Sequence, residues 1–298
     1  MVFEMPCDDV KQDALIGDFR EFTRKALSQC DSILEIGPSH SPVLPRRMGY
    51  RTDILDHADA QTLRAKYSAL GQDVSQIEDV DFVWTGQDLA DLCQKRYSAI
   101  FASHVIEHVT DFLGTLKQFK KILADNGSII LIVPDKLYSF DLLQPLTDSA
   151  KVIADHHVGR STHTFEAFFR EINQVVSVSD EITSLTWGKH ATCWRMKGSW
   201  NDFFTGALTN ATSSAYIDAH EYYFTPSSFR QIILDLQYFS LIDLDISILS
   251  RSRGHEFLVE LRGNPNSAKI DPASFFATKL ALNRLLIGEH QEAFKFLI

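Results

Sequence analysis

Hydrophobic positions in the first half of the chain alternate between short apolar runs and stretches with helical spacing. Apolar residues three and four apart predict a helix within residues 11–30. The apolar runs predict strands at 33–36, 49–55, 80–84, 98–103 and 129–133. Helices are predicted between them at 60–70, 89–95 and 112–123, the last closed by an Asn126-Gly127 cap. This alternation indicates βαβ units and a parallel sheet.

The alternation stops after residue 141 and returns near residue 225. Thr225-Pro226 predicts the start of a helix that continues to residue 236. Residues 239–248 and 256–262 predict an antiparallel strand pair, residues 264–268 a polar linker, and residues 273–298 two short helices. We therefore expect one domain over residues 1–263, with a cap inserted at about 142–220, and a helical appendage over 264–298.

Composition narrows the class of protein. The chain has 298 residues, of which 45% are hydrophobic and 23% charged, as in ordinary soluble globular proteins. A formal net charge of −10 disfavours a nucleic-acid partner, which would require a basic surface. Residues 1–10 lack the apolar core of a signal peptide, and no apolar run approaches the roughly 18–20 residues of a membrane span. These features predict a cytoplasmic protein without a membrane span.

The end of the first strand carries a candidate ligand-binding turn. Glu35 and Gly37 lie at this turn, and Asp56 follows Gly37 by nineteen positions, at the end of the second strand. A carboxylate there can accept hydrogen bonds from both hydroxyls of a ribose, and Asp53 is the weaker competitor for that role. A dinucleotide fingerprint has three glycines and this turn has one, which disfavours nicotinamide or flavin. The alternative is a plain surface turn at Gly37-Pro38.

Four segments in this order carry a family resemblance: Leu34 to Pro38, Asp56-His57, Ala102 to Val109, and Ile132 to Lys136. They resemble class I S-adenosylmethionine-dependent methyltransferases, in particular a bacterial branch that acts on small molecules and is often found near polysaccharide biosynthesis. The resemblance implies a doubly wound, Rossmann-like α/β fold with a seven-stranded, mostly parallel sheet, an inserted irregular or helical cap and a C-terminal helical tail. It also implies S-adenosylmethionine as cofactor and S-adenosylhomocysteine as product.

The resemblance places cofactor-binding residues on four strand ends. The loop after the third strand would hold the adenine, and the end of the fourth strand would lie beside the methionine arm. The implied cofactor-binding residues are Glu35, Gly37, Pro38, Ser39, Asp56, His57, Trp84, Thr85, Gly86, Ser103 and His104.

Histidines are the candidate catalytic residues. His104 lies at the end of the fourth strand, where we expect the strand order to reverse and a ligand crevice to open. An imidazole there can accept a proton from the methyl acceptor. The alternative role for His104 is a hydrogen-bonded wall of the cofactor pocket. His108 and His163 are the further catalytic candidates.

The spacing of His104 and His108 raises the question of a metal. Certain related O-methyltransferases, among them small-RNA ribose and quinone-precursor enzymes, carry Glu-x-x-Glu-His here and bind a divalent metal. This chain has His104 in the first position, and a further ligand would have to come from His156, His157 or His163. The favoured alternative is that Glu107 caps the following helix with His108 packed beneath it. We therefore predict no metal.

Asp135, Lys136, His156 and Arg160 are the candidate substrate-binding residues, and Lys136 and Arg160 could meet an acidic or phosphorylated group. The alternative for the segment that carries His156 and Arg160 is a solvated loop. The predicted function is methyl transfer to an oxygen or nitrogen of a small-molecule or glycan intermediate. The rivals are a catalytically inactive Rossmann-like protein that binds a nucleoside or a partner, and a nicotinamide oxidoreductase. The C-terminal helices are candidates for homodimer or partner docking.

Overall fold

A computed structural model gives the fold of the chain. It describes residues 11–12, 16–173, 200–213, 217–264 and 270–295. The middle of the predicted cap, 174–199, and residues 265–268 of the predicted linker at 264–268 lie outside the described residues.

In these described ranges, eight strands form one sheet in the order β1-β7-β8-β6-β5-β2-β3-β4. Strand β8 is antiparallel to both of its neighbours, and the other pairs are parallel. The predicted Rossmann-like sheet is confirmed, with the two-residue β1 added at its edge. The strands are β1 (Lys11–Gln12), β2 (Ile33–Ile36), β3 (Thr52–Asp56), β4 (Phe82–Val83), β5 (Tyr97–Ser103), β6 (Leu123–Pro134), β7 (Leu244–Leu249) and β8 (Glu256–Gly263).

Helices connect the strands and form the cap and the tail. The helix predicted within residues 11–30 is shorter, because the Asp18 side chain caps its first turn. The helix predicted at Thr225 is confirmed, with a capping box between Thr225 and Ser228. The helices are α1 (Phe19–Leu27), α2 (Ala60–Ala69), α3 (Leu89–Cys93), α4 (Phe112–Ile122), α5 (Ser149–Val158), α6 (Phe165–Asn173), α7 (Trp200–Ala211), α8 (Pro226–Tyr238) and α9 (Pro272–Phe294). None of the helices within the described ranges has both the length and the apolar character that a bilayer span requires.

Two local predictions were wrong. Asn126-Gly127 is not a helix cap, because β6 begins directly at Leu123, which pairs with Tyr97 of β5. The two short helices predicted over residues 273–298 are wrong, because a single helix, α9, runs unbroken from Pro272 to Phe294. Contacts with α8 hold α9 on both sides of Gly288: Phe275 stacks on Tyr238 at 3.9 Å, and Glu289 accepts hydrogen bonds from Ser227.

The sheet is buried on both faces, as β5 illustrates. Ala99 and Phe101 pack into the cluster that includes α1. Ile100 and Ala102 point the other way, into the larger cluster with α4 and α8. Burial on both sides explains why this strand is a continuous apolar run in the sequence.

The strand order reverses between β2 and β5. From β2 the chain proceeds through β3 and β4 toward one edge, whereas β5 and β6 lie on the other side of β2. Gly37 follows the carboxyl end of β2, and His104 follows that of β5. The predicted crevice therefore has these two residues on its opposite banks.

Candidate active site

The turn after β2 passes very close to the loop after β5. Gly37 has a φ of +63°, a conformation that favours glycine, and its N–H donates to Leu55 O at 2.8 Å. A Cβ at this position would lie 2.8 Å from Cγ2 of Val105. Position 37 therefore favours glycine for two reasons: the positive φ and the lack of space for a side chain beside Val105.

Glu35 braces the turn from within the protein. Its buried carboxylate accepts hydrogen bonds from Val43 N at 2.6 Å and Leu44 N at 3.1 Å. Burial raises the pKa of this carboxyl to about 7, against the opposing effect of the two backbone donors. The structure thus places Glu35 as a support of the loop after Gly37.

Asp56 joins the ends of β2 and β3. Its Oδ2 accepts from Ser39 N at 3.1 Å, and its Oδ1 accepts from His57 N at 2.8 Å and lies 2.7 Å from His57 Nδ1. A carboxylate has about four acceptor positions, and three are engaged here, so one position on Oδ2 is left for a hydroxyl donor, although the side chain is only 1% exposed. The competitor Asp53 is engaged elsewhere, with the Tyr97 hydroxyl at 2.8 Å and Lys95 Nζ at 2.5 Å.

The turn after β4 adjoins Asp56. The Trp84 N–H donates to Asp56 O at 2.9 Å, and the Trp84 indole donates to Gln87 O at 2.9 Å. Thr85 and Gly86 are exposed beyond it. Together with half-buried Pro38, these residues place the predicted cofactor positions along one edge of the sheet.

His104 begins the opposite bank. Ser103, the last residue of β5, pairs with Ile132, and His104 N donates to the Ile132 carbonyl at 2.9 Å. His104 has a φ of +54°, uncommon for a residue other than glycine. Its Nε2 lies 2.7 Å from Glu256 Oε2.

Glu256 and Arg20 form a charged support behind His104. Arg20 donates to both oxygens of Glu256, at 2.6 and 3.2 Å. Burial alone would raise the pKa of Glu256, but hydrogen bonds with His104 and Arg20 outweigh it and lower the pKa to about 2. His255 lies alongside, 5.6 Å from the His104 ring, and burial lowers its pKa.

Sequence reasoning missed Glu256 and Arg20, although a signal for Glu256 existed. The predicted antiparallel pair begins at residue 256, and an antiparallel strand starts where its parallel neighbours end. Glu256 indeed pairs with Pro134 at the carboxyl end of β6. The position of Arg20 at the start of α1 carried no comparable signal.

A second cluster surrounds Glu107, whose side chain is completely buried. Its Oε1 lies 3.7 Å from His104 Nδ1 and 3.7 Å from His108 Nε2. His220, which sequence reasoning missed, packs edge-on against His108 with ring centroids 4.5 Å apart. Burial alone would lower the pKa of His220, but nearby acids, above all Asp141 at 2.7 Å, raise it to about 9.

The third catalytic candidate, His163, belongs to a separate buried ion cluster. Its Nδ1 lies 3.2 Å from Glu221 Oε2, and Lys151 donates to Glu221 Oε1 at 2.6 Å. Burial raises the pKa of Glu221, but bonds with His163 and Lys151 prevail and lower it to about 2. His163 is thus held by the segment that also carries His220.

The predicted substrate residues fall into two places. Asp135 and Lys136 are buried at the end of β6, and Asp135 N donates to the His255 carbonyl at 2.8 Å. Burial raises the pKa of Asp135 to about 7 and lowers that of Lys136 to about 8. His156 and Arg160 belong to the cap, where they pair with Asp111 and Asp155, each at 2.8 Å.

Comparison with known proteins identifies the family. A family model described as a methyltransferase domain matches residues 10–211. The chain belongs to this family, the class I S-adenosylmethionine-dependent methyltransferases, and is a methyltransferase. None of the curated proteins matches it.

Solved structures of methyltransferases resemble the chain at low identity. The CcbJ methyltransferase from Streptomyces caelestis is 13% identical, with 82% of this chain and 93% of that chain covered and a TM-score of 0.43. The glycopeptide N-methyltransferase MtfA with S-adenosylmethionine is 12% identical, with 82% and 92% covered and a TM-score of 0.39. A putative methyltransferase from Listeria monocytogenes is 11% identical, with 82% and 98% covered and a TM-score of 0.40.

Proposed function

We propose that this enzyme transfers the methyl group of S-adenosylmethionine to an oxygen or nitrogen of a small-molecule or glycan intermediate. The observation that carries the proposal is the approach of the two banks of the crevice, where Gly37 meets Val105. This approach brings the turn closed by Asp56 next to the loop that begins with His104.

The β2 and β3 ends would hold the cofactor. Asp56 would accept a ribose hydroxyl on Oδ2, while Trp84 and the exposed Thr85-Gly86 turn would enclose the adenine. Ser103 and His104 would border the methionine arm. The cofactor supplies an electrophilic methyl group on a sulfonium, and the protein supplies alignment and a site with little water.

His104 would accept the proton of the methyl acceptor. Because a carboxylate only accepts hydrogen bonds, the pairing of Nε2 with Glu256 favours the tautomer with hydrogen on Nε2. Nδ1 is then the basic nitrogen of the neutral ring. Arg20 keeps Glu256 ionised and fixed in place, so the ring orientation is set before the acceptor arrives.

The cap would select the acceptor. Its helices α5 and α6 carry or adjoin His156, Arg160 and His163, and buried Lys136 follows the end of β6. An acidic or phosphorylated group on the acceptor and a cytoplasmic setting of glycan biosynthesis stay predictions from the sequence, since His156 and Arg160 already pair with Asp111 and Asp155 and Lys136 donates to the Leu142 carbonyl. The division into a domain at 1–263 and an appendage at 264–298 also stays a prediction.

Calorimetry with S-adenosylhomocysteine tests the cofactor half of the proposal. Asp56→Asn should weaken binding about 30- to 100-fold, because a hydrogen bond to a charged acceptor is lost. Asp53→Asn is the matched control on the same strand, since its carboxylate pairs with Tyr97 and Lys95, and it should leave the affinity unchanged. Wild-type affinity in Asp56→Asn would remove the ribose site assigned here.

Methyl transfer itself is tested with methyl-labelled S-adenosylmethionine and fractionated small-molecule and glycan pools. Wild-type enzyme should label one fraction, and heat-treated enzyme none. Label that appears only in the nucleic-acid or protein fraction would contradict the acceptor class.

A further inference from the structure

Helix α9 is fixed on the protein by one of its sides. Phe275, Leu282 and Ala293 lie on this side, and each is at most 5% exposed. Lys279, on the same side, donates to both carboxylate oxygens of Asp235 in α8, at 2.6 and 2.7 Å. These contacts determine which residues of α9 face away from the protein.

Large apolar side chains lie exposed on another side of α9. Phe276, Leu280 and Ile287 are 62%, 64% and 59% exposed, and Asn283 is exposed between them. The four residues follow one another at intervals of four, three and four, so they form one stripe along the helix. We call this stripe, Phe276, Leu280, Asn283 and Ile287, the α9 seam. Contiguous exposed apolar surface is typical of interaction sites.

The spacing of the seam indicates that another helix covers it. Alternating intervals of three and four residues are those of the a and d positions of a coiled coil, and Ala273 and His290 extend them at the two ends. In a coiled coil, two such stripes face each other along the whole contact. A strand, whose side chains alternate with a period of two, would not match this stripe.

The seam is complementary to itself in an antiparallel arrangement. When two copies of α9 lie antiparallel about the midpoint between residues 281 and 282, Phe276 of one faces Ile287 of the other, and Leu280 faces Asn283. Every seam residue then meets a seam residue of the second copy, as an isologous two-fold interface requires. Asn283 Nδ2 donates to the Lys279 carbonyl at 2.9 Å, so its amide retains a hydrogen bond beneath Leu280.

Charges beside the seam favour the antiparallel over the parallel arrangement. In a parallel pair Asn283 would face Asn283, but Arg284 would lie beside Lys279 of the second copy on both flanks. In the antiparallel pair, Arg284 lies beside Ala277 and Lys279 beside Leu286. The apolar side chains there can cover the stems of the cations.

We propose that the protein forms a homodimer in which the α9 seams of two copies pack antiparallel. Two helices of this length bury on the order of 1,000 Å² in total, the low end for a specific interface, so we expect a dimer that dissociates at micromolar concentration. The proposal concerns association only and does not depend on the methyl acceptor or on the role of His104.

Analytical ultracentrifugation of tag-free, full-length protein tests the proposal. The samples contain a reducing agent, because Cys30 and Cys93 are free thiols. Between about 1 and 100 μM, the mass of wild type should rise from the 33.8 kDa of one chain towards twice that value. Leu280→Glu should weaken the dimer at least about 30-fold, because it places a charge in the seam. Leu285→Glu is the matched control: this leucine is 49% exposed on α9 but lies outside the seam, so the variant should dimerise like wild type.

A double variant tests the direction of the helices. Position 280 of one copy faces position 283 of the other only in the antiparallel dimer. Leu280→Glu/Asn283→Lys therefore brings opposite charges together at both contacts and should regain at least about tenfold in affinity over Leu280→Glu. In a parallel dimer the same variant would bring like charges together. A double variant as weak as Leu280→Glu would overturn the antiparallel arrangement.

The oligomeric state of wild type and of Leu280→Glu can also overturn the dimer itself. Wild type that remains a monomer up to about 100 μM would exclude a second copy and leave a helix of another protein as the occupant. A dimer that persists unchanged in Leu280→Glu would place the interface elsewhere. Because the substituted side chains are exposed, the variants should melt as the monomeric wild type does.

Hydrogen exchange of wild type gives a readout that no substitution can disturb. Amides of residues 276–287 should exchange more slowly at high than at low protein concentration, whereas those of β5 should not change with concentration. Equal exchange over 276–287 at concentrations where ultracentrifugation detects the dimer would contradict the assigned seam.

Discussion

The two banks of the crevice are built in different ways. On the cofactor bank, backbone N–H groups are the donors: Gly37 N donates to the Leu55 carbonyl and Ser39 N to the Asp56 carboxylate, all within residues 37–56. On the histidine bank, His104 is supported by Glu256, 152 residues away, through a direct side-chain contact. The geometry of the first bank depends on backbone conformation, whereas that of the second depends on the pairing of charged side chains. Mutations should therefore separate binding on one bank from chemistry on the other.

The largest expected effect is the loss of proton transfer in His104→Gln. We expect kcat to fall about 10²- to 10⁴-fold, the usual contribution of a general base. The affinity for S-adenosylhomocysteine should change little, because the ribose contact of Asp56 is retained. Steady-state kinetics and calorimetry on the same preparation measure the two quantities.

Asp56→Asn supplies the reciprocal pattern, with weakened binding and kcat largely preserved at saturating cofactor. If both variants lose affinity and turnover in equal measure, the two banks are not functionally separate.

The next effect concerns the close approach of the banks. Gly37→Ala should lower the free energy of unfolding by about 2–4 kcal/mol, through the positive φ and the overlap with Val105. Gly49→Ala is the control, because Gly49 has a φ of +91° but no atom within 4 Å of the position that a Cβ would take, and it should cost only about 1–2 kcal/mol. Urea denaturation compares the two.

The double variant Gly37→Ala/Val105→Ala separates the cost of the positive φ at residue 37 from the cost of the steric overlap with Val105. It should be less destabilised than the sum of the single variants, since the methyl that the alanine meets is gone. Additive effects would mean that the two loops do not constrain each other.

Much of the cofactor bank could be predicted from sequence, and the histidine bank only in part. An apolar run followed by Gly37, with Asp56 nineteen positions on, is a local pattern that strand geometry translates directly into a site. Glu256 and His220 reach their partners only through the order of strands and the path of the cap, which no local spacing encodes. The same reason explains α9, since its contacts with α8 and, beyond Gly288, with Leu137 and Leu142 are made with distant parts of the chain.

A smaller effect is expected at the support of His104. Glu256→Gln should lower kcat about tenfold, because the His104 ring loses the carboxylate that fixes its tautomer and orientation. Glu260→Gln is the matched control on the same buried strand, where the carboxylate bonds Ser247 and Arg262 instead. The cofactor affinity should be unchanged in both. A Glu256→Gln enzyme with the wild-type kcat would exclude Glu256 as a positioning residue.

The smallest effect is on stability in acid, and its sign follows from the same carboxylate. The pKa of Glu256 is about 2 in the folded protein, below the ordinary value of 4.5. Its stabilising contribution is therefore complete above pH 4.5 and is lost as the pH falls toward 2. Because Arg20 is 37% exposed and screened by water, we expect a contribution of about 1 kcal/mol.

The measurement is the difference in unfolding free energy between wild type and Glu256→Gln across pH 2.5–6. The difference should shrink steadily below pH 4.5. Glu35, whose pKa is raised to about 7, makes the stability of both proteins fall as the pH rises from 4.5 to 7, and its contribution cancels in the difference. A constant difference down to pH 2.5 would mean that Glu256 is not held ionised by His104 and Arg20. The charge balance attributed to the histidine bank would then lose its support.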